Sequence, residues 1–283
     1  MPPRNNPTAR QARLGTELRK MRERAGLTAR EAAAQLGVTP MRMSHIEIGR
    51  LGVSEERLRK FAMHYGCSDS AYIDALAELT GRQERGWWEK HQGLLPQRSL
   101  DLAALEWHAS GIDGLQIVHI PGLLQTEAYT RAIFSHMPQE ARPSNLDAIV
   151  DFRMRRQEVL DREDPPPYRA FIHEAALRMK VGDRNVVRQQ LELIAARSER
   201  PGTTVRVVPF SAEGFVCMGY AMQYMAGGVP RLDTVQIDEV HGSVFLDAQE
   251  ELERYRAVLR TVDRLALGVE ASRDFVRSIA REH

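Results

Sequence analysis

The sequence predicts a multidomain protein: an all-α N-terminal domain of five short helices, followed by an α+β domain with a mixed sheet and packed helices. The length of 283 residues exceeds the roughly 100 to 200 that one core usually spans. Apolar residues recur at helical spacing in the first part, whereas strand-like alternation enters beyond about residue 110. We therefore expect an N-terminal domain at residues 1–80, a connecting segment at 81–98 and a C-terminal domain at 99–283.

Charge is distributed unevenly along the chain. Residues 1–60 hold 13 Arg and Lys against 6 Asp and Glu, whereas the remainder holds 26 against 32. A basic module on an acidic body predicts a polyanion partner at one end, although such charge can also be solvated surface. Cys67 and Cys217 are too few for a disulfide framework or a zinc site, and no apolar run is long enough to span a bilayer. We expect a cytoplasmic protein without cofactor, metal or membrane contact.

Capping signals place the first helices. Leu14, Leu18 and Met21 recur at helical spacing before Gly26 and predict helix one. The run Thr28-Ala-Arg-Glu31 is a capping box that begins helix two, which ends at Gly37.

Three further helices complete the predicted N-terminal domain. Thr39 can cap helix three with Pro40 at its first turn, and Ser54 begins helix four. The fifth helix carries Tyr72, Leu76 and Leu79. Helices two and three are joined by the short glycine-containing turn LGVT, which is typical of two helices that place the second in a DNA major groove.

The passage LTAREAAAQLGVTPMRMSHIEIGR resembles the XRE, or lambda-repressor-like, helix-turn-helix family. The resemblance implies that residues 39–47 form the recognition helix and that Arg22 forms an internal ion pair with Glu47. Met43 and Ile46 are expected to face inward. The side chains expected at the DNA are Thr39, Pro40, Met41, Arg42 and His45.

Different contacts are expected of different side chains. Arg42 can donate a fork of hydrogen bonds to guanine, His45 can give one hydrogen bond, and Met41 can contact a thymine methyl group. Arg13, Arg30 and Arg50 are candidates for phosphate contacts, which supply affinity without sequence information. The family often has Gln where this chain has Ala29, so we expect that phosphate contact to pass to Arg30. The alternative is a helical bundle that never meets DNA.

Two of the three tryptophans, Trp87 and Trp88, are adjacent in the charged segment RGWWEK. Neighbouring side chains on a helix or strand point in different directions, so we expect the two rings to occupy different pockets. One hypothesis is a latch with one ring on each domain. The alternative is that both rings lie in one irregular core.

The C-terminal pattern predicts alternating strands and helices. Strands are expected at 111–120, 168–173, 203–209, 219–225 and 233–240, and helices after Thr126 and at about 144–162, 184–198, 247 onward and 270 onward. The passages RGWW, PGLLQTEAY, RMRRQ, YRAFIHEAALR, VRVVPF and FLDAQEELERYR are similar to the WhiJ-like, antitoxin-like XRE regulators of actinobacteria. That resemblance implies a small partner protein encoded nearby, and the helix-turn-helix implies a homodimer on double-stranded DNA.

Motifs for catalysis are missing from the sequence. It contains no dinucleotide or phosphate loop, nucleophile elbow or zinc-protease motif, so we expect no enzyme activity. The nearest titratable groups are His173 with Glu174, and Asp238 and Glu239 with His241, none at metal-ligand spacing.

Two other features leave alternatives open. Arg153 and Arg156 share a helix face and can clamp an anionic ligand or an acidic partner; internal ion pairs with Glu158 or Asp161 are the interpretation we favour. The methionine-rich run at 216–229 predicts a pair of core strands, or else a flexible pocket lining. We thus expect a transcription regulator whose C-terminal domain receives a signal from a small partner protein or, alternatively, from a small molecule.

Overall fold

The computed structural model describes residues 7–80, 86–137, 139, 143–215, 221–239 and 242–283. The chain divides into two compact units. The first comprises Met1–Glu89 together with Gly228–Leu232, and the second comprises Lys90–Gly227 and Asp233–His283.

Five helices build the first unit, as predicted. They are α1 Ala9–Arg24, α2 Ala29–Gln35, α3 Pro40–Glu47, α4 Glu55–His64 and α5 Ser70–Glu78. Each begins after a residue whose side-chain oxygen accepts a hydrogen bond from a backbone N–H in the first turn: Thr8, Thr28, Thr39, Ser54 and Asp69. Such caps satisfy donors that have no partner within the helix, which fixes where each helix starts. Gly37 takes a φ of +63° after α2, so the chain can reverse there without strain.

The core of the first unit is apolar and draws on every helix. Its most deeply buried members include Leu18, Ala32, Ala33, Met43, Ile46, Leu58, Phe61, Tyr72 and Leu76. Helices α1 and α3 approach closely at Gly15, where a Cβ would lie 2.6 Å from the carbonyl oxygens of Ile46 and Glu47. Only glycine permits that approach.

The segment Gly228–Leu232 completes the first unit, a feature that the sequence does not signal. Leu232 is buried in the helical core, and the Arg231 guanidinium lies 3.9 Å from the centre of the Tyr72 ring. The Arg231 carbonyl accepts a hydrogen bond from Arg13 Nη2 at 2.7 Å. The helical unit therefore includes five residues from far along the chain.

The second unit is built on a six-stranded mixed sheet, which confirms the predicted fold class. Its strands are β1 Gly111–Gln116, β2 Tyr168–His173, β3 Thr203–Val208, β4 Met222–Ala226, β5 Thr234–Glu239 and β6 Gly242–Leu246. The order is β3-β2-β1-β4-β5-β6, in which β1, β2 and β3 pair in parallel and the remaining pairs are antiparallel.

Helices cover both faces of this sheet. They are α6 Gln97–His108, α7 Glu127–Ser135, α8 Leu146–Arg156, α9 Glu174–Arg178, α10 Arg184–Arg197, α11 Gln249–Leu265 and α12 Val269–Glu282. One core packs Ile112 and Ala170 of the sheet with residues of α7, α10 and α12. The other packs Phe171 and Val235 with α11. Alternate residues of β2 thus serve opposite cores, as a strand period of two requires.

Several C-terminal predictions need correction. The helix predicted at 144–162 is shorter: α8 ends at Arg156 and a 3-10 helix follows at Gln157–Leu160. Gln157 donates from Nε2 to the carbonyls of Gly122 and Gln125, long-range contacts that sequence periodicity does not show. The strand predicted at 111–120 ends at Gln116, and α6 and β6 were not predicted.

The methionine-rich run at 216–229 is described only in part. Only β4 appears in the described part of the methionine-rich run, since 216–220 lie outside the described residues. None of the helices within the described ranges is long and apolar enough to cross a membrane.

Candidate nucleic-acid interface

The third helix has one buried face and one exposed face. Met43 and Ile46 are each 1% exposed, as predicted. Pro40, Met41 and Arg42 are exposed on the opposite side, with Met41 at 72%. The exposed face therefore presents an apolar side chain next to an arginine, residue types that suit a thymine methyl group and a guanine edge. His45, which we expected to face out, is half-buried.

A buried ion pair fixes the end of this helix. Arg22 of α1 donates to Glu47 from Nε at 2.6 Å and from Nη2 at 2.9 Å, and its Nη1 donates to the Leu27 carbonyl at 2.6 Å. The hydrogen bond to Glu47 raises the pKa of Arg22. The resemblance to the XRE family implied this pair, and the structure contains it. A two-pronged, nearly buried pair holds α3 in one orientation on α1.

Basic side chains of the first unit fall into two classes. Arg19, Arg59 and Lys60 form ion pairs with nearby acidic residues of the same unit. Arg30, Arg42 and Arg50 are exposed and have no carboxylate within 4.0 Å in the part of the chain that the structure describes. An unpaired arginine fork is suited to phosphate or a base edge.

Arg57 is a functional candidate that sequence reasoning missed. Its pKa is lowered by burial and by the neighbouring charge of Arg42, and its guanidinium lies 5.4 Å from the centre of the Phe61 ring. These two like charges repel each other, and a bound anion would relieve the repulsion. The available signal was that Arg57 has no acidic residue three or four positions away on its helix.

Arg13, in contrast, is not available to phosphate. It is only 8% exposed, donates from Nε to Glu17 at 3.1 Å and donates from Nη2 to the Arg231 carbonyl. The prediction that Arg13 contacts DNA was wrong, because helical periodicity could not show that a buried carboxylate faces it.

Comparison with known protein families gives two matches. Residues 13–79 match a family described as helix-turn-helix domain, and residues 99–278 match one described as domain of unknown function (DUF5753). The chain belongs to the DUF5753 family. No curated protein and no solved structure matches the chain significantly. The first unit is thus a helix-turn-helix domain, and most of the second is the DUF5753 domain.

The tryptophan pair precedes the DUF5753 domain, in a 3-10 helix at Trp87–His91. The two rings contact each other edge to face, with centroids 5.9 Å apart. The two rings therefore touch each other, and the hypothesis of a latch with one ring on each domain stays a prediction. A Cβ at Gly86 would overlap the Trp88 ring at 2.2 Å, so glycine makes room for the pair.

His173 and Glu174, the titratable pair that the sequence analysis named in the DUF5753 domain, form hydrogen bonds within that domain. His173 accepts a hydrogen bond from the Ala175 N–H at 3.2 Å and stacks on Phe215, and burial lowers its pKa. Glu174 accepts from Arg178 and from the Phe210 N–H. His241 lies outside the described residues, and within them no group of acidic, His or Cys side chains is arranged to hold a metal.

Arg153 and Arg156 of α8 do not form the ion pairs that we favoured. Arg156 pairs with Glu106, at 2.8 Å from Nε and 2.5 Å from Nη2, and not with Glu158 or Asp161. Arg153 has no carboxylate within 4.0 Å among the described residues. Within the DUF5753 domain, Arg156 thus forms an internal ion pair, whereas Arg153 has a neutral hydrogen-bond partner, Gln125.

Proposed function

We propose that this chain is a sequence-specific transcription regulator of the XRE type, in which α3 reads base edges in the DNA major groove. One observation carries the proposal: the N-terminus of α3 presents Pro40, Met41 and Arg42 outward, while Arg22 and Glu47 hold its other end in place. Arg30 and Arg50, with Arg57, supply candidate phosphate contacts.

The motif supports binding as a homodimer to two half-sites about one helical turn apart. Such a regulator works at the chromosome in the cytoplasm. We propose no catalytic activity, because the sequence carries none of the nucleotide, nucleophile or zinc-protease motifs sought above.

The test uses the full chain, because the helix-turn-helix unit includes Gly228–Leu232. Selection from random duplexes identifies a preferred site, and fluorescence anisotropy then measures its affinity against mismatched sites. Arg42→Ala should lower affinity for the preferred site by about 1–3 kcal/mol and flatten discrimination at one base position. Arg30→Ala should weaken binding to all duplexes alike.

Arg19→Ala is the matched control, since Arg19 is exposed in the same unit and already paired with Glu23 at 2.8 Å. It should leave both affinity and discrimination unchanged. Selection that returns no preferred sequence, or equal effects of Arg19→Ala and Arg42→Ala, would refute the proposed reading by α3.

For the DUF5753 domain we propose a role in receiving a signal. The resemblance to WhiJ-like, antitoxin-like regulators of actinobacteria supports a small protein encoded nearby as the source. Co-purification of the full chain with the product of the neighbouring gene tests this source. An open arginine in the domain, Arg153, favours a second candidate, a small-molecule effector. In thermal unfolding of the full chain, a rise in Tm with a metabolite supports the small-molecule effector. A rise in Tm with the neighbouring gene product alone supports the small partner protein.

A further inference from the structure

A polar cluster lies within the DUF5753 domain, where α6 and α8 meet one face of the sheet. Glu106 of α6 is 1% exposed and accepts from Arg156 and, at 2.7 Å, from Gln223 Nε2 of β4. Arg156 is therefore neutralised inside the domain. Gln223 lies in register with Gly114 on β1 and with Gln236 on β5, so the row continues along the sheet.

Arg153, one helical turn before Arg156, is not neutralised. Its Nη1 donates to Gln125 Oε1 at 3.3 Å, and that oxygen already accepts from Thr130 Oγ1 at 3.1 Å. The Phe134 ring centre lies 5.0 Å from the guanidinium carbon. A guanidinium carries five N–H donors, so one long bond to a shared neutral oxygen leaves most of them for another acceptor.

Burial first, and then the charge of Arg156, lower the pKa of Arg153 to about 10. The group still carries its proton at neutral pH. A half-buried cation without a carboxylate partner is costly unless an anion compensates it.

Two titratable side chains interact electrostatically with Arg153. Burial and the charge of Arg153 both lower the pKa of His119. The carboxylate of Asp238 acts on both groups electrostatically. Asp238 accepts from Gln236 Nε2 at 2.6 Å and Ser243 Oγ at 3.0 Å, and forms no ion pair with Arg153.

We propose that this cluster binds a small organic monocarboxylate, whose carboxylate pairs with Arg153 and whose hydroxyl or ammonium group donates to Asp238. The fork geometry of arginine matches a carboxylate. One negative charge offsets Arg153, whereas a doubly charged phosphate would be repelled by Asp238. If the chain is the regulator proposed above, this ligand is its effector.

The experiment measures thermal unfolding of the full chain with acetate, lactate, alanine or inorganic phosphate, each against sodium chloride at equal ionic strength. Lactate and alanine should raise Tm by roughly 2 °C or more as concentration rises, acetate by less, and phosphate no more than chloride. Arg153→Gln should abolish the rise. Arg155→Gln, an identical charge change two residues along the same helix, should keep it.

A second measurement does not depend on the variant folding. The His119 imidazole proton is followed by NMR in the wild-type chain, and its pKa should rise when lactate is present, since the bound carboxylate offsets Arg153. Equal Tm in lactate and chloride, a rise retained by Arg153→Gln, or an unmoved His119 pKa would overturn the proposal. Because no DNA is present, these outcomes leave operator binding to be judged by its own assay.

Discussion

At the scale of single residues, a buried carboxylate organises the helix-turn-helix unit. Glu17 is fully buried and accepts from Tyr72 Oη at 2.5 Å, Lys20 Nζ at 2.8 Å and Arg13 Nε at 3.1 Å. Burial and the bond to Glu17 raise the pKa of Tyr72, which keeps its hydroxyl a donor. Residue type predicts Glu17 as surface, because a charged side chain is rarely fully buried, and only the folded unit brings Tyr72 across to it.

Glu17→Ala should therefore destabilise the protein strongly. The substitution removes a buried carboxylate that accepts from Arg13 and from the Tyr72 hydroxyl, at a cost of about 3–5 kcal/mol. Urea unfolding followed by circular dichroism measures this cost. Glu23→Ala on the same helix is the control and should cost about 0.5 kcal/mol or less, since its close partner Arg19 is exposed and its contact with Arg22 is longer, at 3.6 Å. Equal costs for the two variants would show that Glu17 is not a structural centre.

The imidazole of His119 gives a prediction about pH. Its pKa is lowered below the ordinary value of about 6.5, first by burial and then by Arg153. The unfolded chain thus binds this proton more readily, so the contribution to stability is present above about pH 6.5 and is lost as pH falls toward the lowered pKa. Arg153→Gln should move the pKa up, toward 6.5, as measured by NMR titration. A pKa unchanged by that substitution would contradict the proximity of the two groups.

Among the helices, local capping chemistry predicted where α2 and α3 begin. It did not predict where α8 ends, because long-range contacts lie at that point. Thr28 with Glu31, and Thr39 with Pro40, mark α2 and α3 in the sequence and cap them in the structure. The end of α8 at Arg156 depends instead on Gln157, which donates to carbonyls more than 30 residues away in sequence. No local pattern encodes such a contact.

The crossing of α1 and α3 gives a prediction whose sign is opposite to helix propensity. Alanine in place of a helical glycine usually stabilises by about 1 kcal/mol. Gly15→Ala should instead destabilise by about 1–3 kcal/mol, because the added Cβ would lie 2.6 Å from backbone oxygens of α3. It should also weaken DNA binding by displacing α3.

Thermal unfolding and anisotropy on the same preparation test both effects. Thr16→Ala, at the next, half-buried position of α1, serves as the control. A stabilised Gly15→Ala variant would show that α1 and α3 are not in contact at this point.

At the scale of the whole molecule, the uneven charge and the change of pattern near residue 110 were enough to predict two architectures. They were not enough to predict which cations lack a carboxylate partner. Arg13 and Arg30 are both basic residues of the first two helices, yet Arg13 is buried against Glu17 and Arg30 is exposed. Likewise, Gly228–Leu232 reads as a turn between strands but packs with the helices, because Leu232 and Arg231 find partners there.

The unpaired cations should determine how DNA binding depends on salt. Each phosphate neutralised by an arginine adds about 0.9 to the slope of log affinity against log salt concentration. Arg30→Ala and Arg50→Ala should therefore each flatten the slope by about 0.9 per bound chain. Arg42→Ala should change it less, because Arg42 is assigned to a base edge, and Arg19→Ala should leave it unchanged. Anisotropy titrations between 50 and about 200 mM salt give the slopes. A slope that falls equally for Arg19→Ala and Arg30→Ala would mean that general charge, and not placed side chains, draws the protein to DNA.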